Sequence, residues 1–145
     1  MDLYDAMHTS ASGLSAQRLR MNLISGNLAN VNTTRTPEGG PYRRKEVVFT
    51  AAPKAGSFRD VLKARQAQVP CDVQASKIIE DNRPPVMKFA PDHPDADENG
   101  FLALPQVNVM EEMVNMISAT RSYEANVSAV RAAKDMALKA LEIGK

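Results

Sequence analysis

Ten positions toward the C-terminus, Val109, Met113, Met116, Thr120, Tyr123, Val127, Val130, Lys134, Ala137 and Leu141, advance by four and three in strict alternation. That is the 3.5-residue period of a coiled-coil seam, and only Thr120 and Lys134 interrupt its apolar character. A helix carrying all of them runs about 50 Å at ~1.5 Å per residue, longer than a small domain needs. Asn108 followed by Glu111 marks its start, since a short side chain there accepts the free amides of the first turn. Gly144 is the expected stop. An ammonium enclosed in apolar packing is costly unless paired, so Lys134 is expected to reach solvent or a carboxylate.

The N-terminal end repeats the theme. Met7, Leu14, Met21 and Leu28 are seven apart, flanked by Leu3, Ala11, Ile24 and Val31. The small side chains of "TSASGLSA" let a neighbouring helix approach closely, and Gly13 costs roughly 1 kcal/mol of helicity that packing must offset. The chain therefore divides into a helix over 1–32, a centre over 33–105 and a helix over 106–145. The two stripes fit either a helical hairpin within one globule or packing between molecules. In a lone chain each stripe has at best one partner helix, and long helices in water draw most of their stability from packing. The isolated chain is therefore expected to have a folded centre and largely mobile ends, about residues 1–32 and 106–145, which become helical only on assembly.

The centre reads differently. All four Phe (Phe49, Phe58, Phe89, Phe101) lie there, and residues 42–50, 71–80, 86–90 and 100–104 read as short strands bounded by Pro, Gly and Asp. Ser57 and Asp60 form a capping-box-like start to a short helix or ordered loop. Such a centre makes a marginal core that needs neighbours. The fold class is α+β: long terminal helices forming a coiled-coil domain, with a small β-rich insert.

Charge is balanced, 18 Lys+Arg against 17 Asp+Glu, which disfavours nucleic acid. Asp2 and Asp5 stand where a secretory signal carries Lys or Arg, and no apolar run there has the length of a signal-peptide core. Those features alone place the chain in the cytosol. The single cysteine, Cys71, leaves the redox compartment open. The sharpest chemical motif is "DADENG", where Asp95, Asp97, Asn99 and Gly100 match the first positions of a calcium loop. Gln106 stands where a bidentate Glu is required, and Pro91 and Pro94 replace the entering helix, so a polar turn between strands is the better reading. His93 fits the same turn, and nothing around Cys71 and His93 resembles a nucleophile–base signature. In "YRRK", Arg43 and Lys45 alternate with Arg44 across a strand, which suits a solvated or inter-subunit ion-pairing edge.

The stretches "SGLSAQRLRMNLISGNLANVNT" and "DHPDADENGFLALPQVNVMEEMVNMISATRSYEANV", in this order around a strand-rich insert, resemble the axial proteins of the bacterial flagellum, its rod and hook subunits, and within them a proximal-rod subunit. Arg35 departs from the glycine usual in that turn. The resemblance implies a structural subunit with no enzymatic activity, cofactor or small-molecule substrate. It implies helical assembly into the torque-transmitting shaft that crosses the periplasm, and passage through the flagellar export apparatus without a cleaved signal peptide, which revises the cytosolic placement. The implied partners are copies of itself, other rod subunits, the adaptor protein at the rod base and the export apparatus. On this reading Met7, Leu14, Met21, Leu28, Val109, Met113, Met116, Tyr123, Val127, Val130 and Leu141 form the assembly seam. Asn27, Asn30 and Asn32 then either fix its register, since a carboxamide offers donors and an acceptor, or act as capping and turn residues, one of them in a left-handed conformation. The alternatives are a helical-hairpin adaptor or another rod- or hook-type axial subunit.

Overall fold

The computed structural model describes residues 3–53 and 71–143. The Ser57–Asp60 start and the Gly144 stop lie outside the described residues. Helix α1 spans Leu3–Ala29 and helix α2 spans Val109–Ile143. Between them run β1 (Lys45–Pro53), β2 (Cys71–Glu80), β3 (Val86–Phe89) and β4 (Phe101–Leu104). The architecture is α+β, with two long end helices and a strand-built insert, as the periodicities predict.

The strands form two antiparallel ribbons, β1 with β2 and β3 with β4. In the first, Val48 faces Lys77 while Phe49 faces Ala75, so Ser76 is an extra residue. Its hydroxyl donates to the carbonyl of the opposing Val48 at 3.1 Å and anchors the bulge. The first strand starts at Lys45, later than the sequence suggests, because the preceding residues belong to a turn. There Tyr42 N–H donates to Thr33 C=O and Thr36 N–H to Gly40 C=O. Gly39 and Gly40 both have positive φ, 91° and 77°, which side chains disfavour.

The helix ends follow their local chemistry. Asn108 Oδ1 accepts the amides of Met110 and Glu111 at 3.0 and 3.4 Å, the expected N-cap. At the end of α1, Asn30 Nδ2 donates to the Gly26 carbonyl and Asn30 Oδ1 accepts from Thr33 Oγ1. No described non-glycine residue has positive φ, so the expected left-handed asparagine is absent from these residues. The Gly26 carbonyl accepts from both the backbone amide and the side-chain amide of Asn30, which ends the helix without a reversal of the backbone.

The turn at residues 91–100 closes on itself. Asp97 Oδ1 accepts the amides of Asn99 and Phe101, and His93 Nδ1 accepts the Asp95 amide. Asp97 is an Asx-turn residue in this arrangement, and Asp95 receives a hydrogen bond from Thr34.

The two helices pack antiparallel: Gly13 meets Asn126, Met21 meets Thr120 and Asn27 meets Glu112. The buried apolar residues lie mainly on this pair: Ala16 and Ile24 on α1, Ala119 and Ala133 on α2, with Leu102 and Pro105 from the insert. Among the described side chains the β1–β2 ribbon buries none fully, and the ribbon leans on α1. There Ser12 Oγ accepts the Val73 amide, and His8 Nδ1 lies 3.0 Å from an Asp72 oxygen. A two-stranded ribbon cannot make a core alone, so it borrows one face of the helix.

Candidate assembly interface

On α2 the inward positions, buried or half-buried, are Val109, Glu112, Met116, Ala119, Tyr123, Asn126, Val130, Ala133 and Ala137. They alternate in steps of three and four. Half of the sequence-derived seam is here: Val109, Met116, Tyr123, Val130 and Ala137. The other column sits one residue earlier than expected, at Glu112, Ala119, Asn126 and Ala133. Met113, Thr120, Lys134 and Leu141 consequently face outward, and Val127 is half-buried. Thr120 and Lys134 interrupt only the outward column, and Lys134 reaches solvent as expected.

Side-chain size explains the choice of column. A Cβ built on Gly13 would lie 3.0 Å from Asn126 Nδ2, so the backbones are close. Only the smaller members of the two adjacent columns fit such an approach, and alanine recurs where α1 is nearest. On α1, Met7, Leu14, Met21 and Leu28 are all half-buried, while the fully enclosed positions are Ala16, Ile24 and Asn27.

Asn27 and Glu112 are almost wholly enclosed. The Asn27 carboxamide uses all its capacity: Nδ2 donates to Lys45 C=O at 2.9 Å and to Glu112 Oε2 at 3.0 Å. Its Oδ1 accepts from Lys45 N–H at 2.9 Å and from Tyr42 Oη at 3.0 Å. The amide thus pairs with the backbone of Lys45 as a neighbouring strand would, and joins α1 to the start of β1. The other carboxylate oxygen of Glu112, Oε1, accepts from Arg44, with Nε and Nη2 each 2.8 Å away. Arg44 Nη1 also reaches Glu46 at 3.1 Å. Burial alone would lower the Arg44 pKa, but hydrogen bonds and charge from Glu112 and Glu46 outweigh it and hold it raised. Burial raises the Tyr42 hydroxyl in turn. A cleft of about 240 Å³ opens beside this knot, with Leu23, Val47 and Phe49 on its walls.

Asn27 therefore fixes register within the chain, tying both long helices to the insert. Asn30 is a cap, and Asn32 is exposed. Arg44 turns inward to Glu112, while Lys45 pairs with Glu80 and Arg43 with Asn82. The expected solvated or inter-subunit basic edge is, for Arg44, an internal ion pair. Sequence reading missed Glu112, Arg44 and Tyr42. The available signal was a glutamate three residues after Val109, in heptad step with Ala119 and Ala133.

Paired end helices around a strand-built insert, locked by hydrogen bonds rather than arranged around a reactive group, are matched by family models at both ends. Residues 7–35 match the model described as Flagella basal body rod protein. Residues 98–143 match the one described as Flagellar basal body rod FlgEFG protein C-terminal. The class is that of flagellar basal-body rod proteins. Along its whole length the chain is 43% identical to the flagellar basal-body rod protein FlgC of Bacillus subtilis, with all of both chains covered. It is 42% identical to that of Borreliella burgdorferi, over 99% of this chain and 98% of the relative. It is 37% identical to that of Salmonella typhimurium, again over all of both. The chain belongs to the FlgC family of flagellar basal-body rod proteins, and it is a structural subunit of the rod.

Proposed function

We propose that the chain forms part of the proximal rod, where copies of it and other rod subunits assemble helically into a shaft that transmits torque across the periplasm. The observation that carries this reading is the outward face of α2. Met110, Val114 and Ile117 are 70%, 64% and 56% exposed, and Leu141 is 70% exposed near the other end. A helix already covered on one side has no reason within the chain to carry a second apolar face. Neighbouring subunits supply the cover, in the manner of coiled-coil packing. The assembly seam then comprises the outward residues Met113 and Leu141 together with the half-buried Val109, Met116, Tyr123, Val127, Val130, Met7, Leu14, Met21 and Leu28, which neighbours enclose further. On the same reading the subunit is exported unfolded through the flagellar apparatus without a cleaved signal peptide and contacts the adaptor protein at the rod base.

Ile117→Asp tests the proposal, because Ile117 is outward and its loss leaves the helix pair intact. The variant should melt like the parent yet be absent from isolated basal bodies and leave cells non-motile. Normal incorporation and motility would contradict the reading. The hairpin-adaptor alternative is not favoured, since the relatives matched over the full length are rod proteins.

A further inference from the structure

The β3–β4 ribbon has one face that is apolar throughout. Cross-strand partners share a face and alternate residues change face, so the pairs Met87↔Ala103 and Phe89↔Phe101 place four apolar side chains together. The opposite face carries Leu102, which is buried, and Leu104, which is half-buried, on β4, and the exposed Val86 and Lys88 on β3. The Met87–Phe89–Phe101 face is open: Phe89 is 65% exposed, Met87 53% and Phe101 41%. Phe89 and Phe101 stack edge-on with centroids 5.5 Å apart. Together the three side chains expose roughly 300 Å² of apolar surface, the scale at which a patch on a monomer is functional. A solvated antiparallel ribbon normally carries polar side chains outward, so the Met87–Phe89–Phe101 face is one that a neighbour covers.

The surroundings say what covers it. The turn joining the two strands carries Asp92, Asp95, Asp97 and Glu98, all exposed, and residues 91–99 contain no Lys or Arg. An apolar platform ending in an acidic tip is complementary to an apolar helix end bearing basic residues. The last turns of α2 expose Arg131, Lys134 and Lys139 among Met136, Leu138 and Leu141, three cations against the two carboxylates of Asp135 and Glu142. That helix lies within residues 98–143, which match the FlgEFG C-terminal model.

We propose that the Met87–Phe89–Phe101 face and its acidic tip form a docking platform for the basic, apolar end of a terminal helix from another rod subunit. The proposal rests on the rod reading and deepens it by naming a contact. The helix seats its apolar side chains on the two rings, and its Lys and Arg lie against the acidic turn. This fixes the axial offset between neighbours where a purely apolar seam could slide.

The test places the photo-crosslinking amino acid p-benzoylphenylalanine at position 89, in cells carrying the variant as the only copy. Basal bodies are isolated, irradiated and mapped by mass spectrometry, and a blot first establishes that the variant is incorporated. Position 87 serves in its place if the position-89 chain fails to fold. Crosslinks should map to the last turns of a C-terminal helix in another rod chain. Asp92→Lys combined with Glu98→Lys should lower their yield at least about fivefold. Crosslinks to a ring or adaptor protein, to a strand or loop of any chain, or to the same molecule would overturn the proposal. So would incorporated chain that gives no crosslink, or a yield indifferent to the charge reversals. A wild-type chain missing from basal bodies would instead remove the rod reading itself.

Discussion

Asn27 shows how much one buried carboxamide can decide. Its four hydrogen bonds join two helices and a strand, so Asn27→Asp tests the knot without changing volume. The substitution removes both donors and sets a second carboxylate against Glu112, at a separation that is now a 3.0 Å hydrogen bond. At neutral pH it should cost about 3 kcal/mol or more by thermal or urea melting, with part regained as the new carboxyl protonates. Loss below about 1 kcal/mol would mean that the knot contributes little. Glu112→Leu leaves half-buried Arg44 with only Glu46 and takes an acceptor from the enclosed Asn27 amide, so alone it should destabilise by about 3 kcal/mol. The double variant Arg44→Met with Glu112→Leu should cost less than that, and a double-mutant cycle reads the difference. The titrating groups give a pH profile of defined sign. Tyr42 is raised by burial and Lys45 by its hydrogen bond to Glu80, so their contributions are whole below the ordinary values of 10.0 and 10.5. They are lost as pH rises through the raised folded values. Asp81 is lowered, chiefly by its hydrogen bond from the Arg83 side chain, so its contribution is whole above the ordinary 3.8 and is lost as pH falls through the folded value. Melting should therefore be level between about pH 5 and about pH 9, and Tyr42→Phe should shrink the alkaline loss.

Among the elements, the helix pair is governed by closeness. Gly13→Ala gains intrinsic helicity but brings its Cβ to 3.0 Å from the flexible end of Asn126, so the two effects nearly cancel. Gly13→Leu has no such escape and should cost about 2–3 kcal/mol by forcing the helices apart. Equal melting temperatures for the two variants would show that the helices are not in close contact there. The same closeness explains what the sequence could and could not reveal. Asn108, Asp97 and the four strand runs act on backbone within a few residues, and each was legible. A stripe with a 3.5-residue period defines two adjacent columns almost equally well. The choice between Met113–Thr120 and Glu112–Ala119 depends on how near a distant helix comes. The Asn27–Glu112 contact spans 85 residues, so no local pattern announces it. Two asparagines of similar context, Asn27 and Asn30, consequently do different work: one is a long-range lock and the other a cap.

The whole molecule places its core where it is thin. Ala16, Ala119 and Ala133 bury little apolar area each, and the long outer face of α2 remains uncovered. On the proposed reading the helix pair is expected to be weakly held in a free subunit and to gain most of its stability when neighbours enclose it. Hydrogen exchange on dilute purified chain should show weak protection across Val109–Leu141, rising by orders of magnitude in isolated rods. Strong protection in the dilute chain would contradict coupled folding and point to a self-sufficient hairpin. The central claim, that this chain is a rod subunit whose end helices build the tube, is tested most directly by a cryo-electron-microscopy map of isolated basal bodies at side-chain resolution. The account predicts density for this chain in the proximal rod, with α1 and α2 paired through the Glu112–Ala119–Ala133 column and Met110, Val114 and Ile117 covered by a neighbour. Rods lacking the chain, or holding it with that outer face open to solvent, would contradict it.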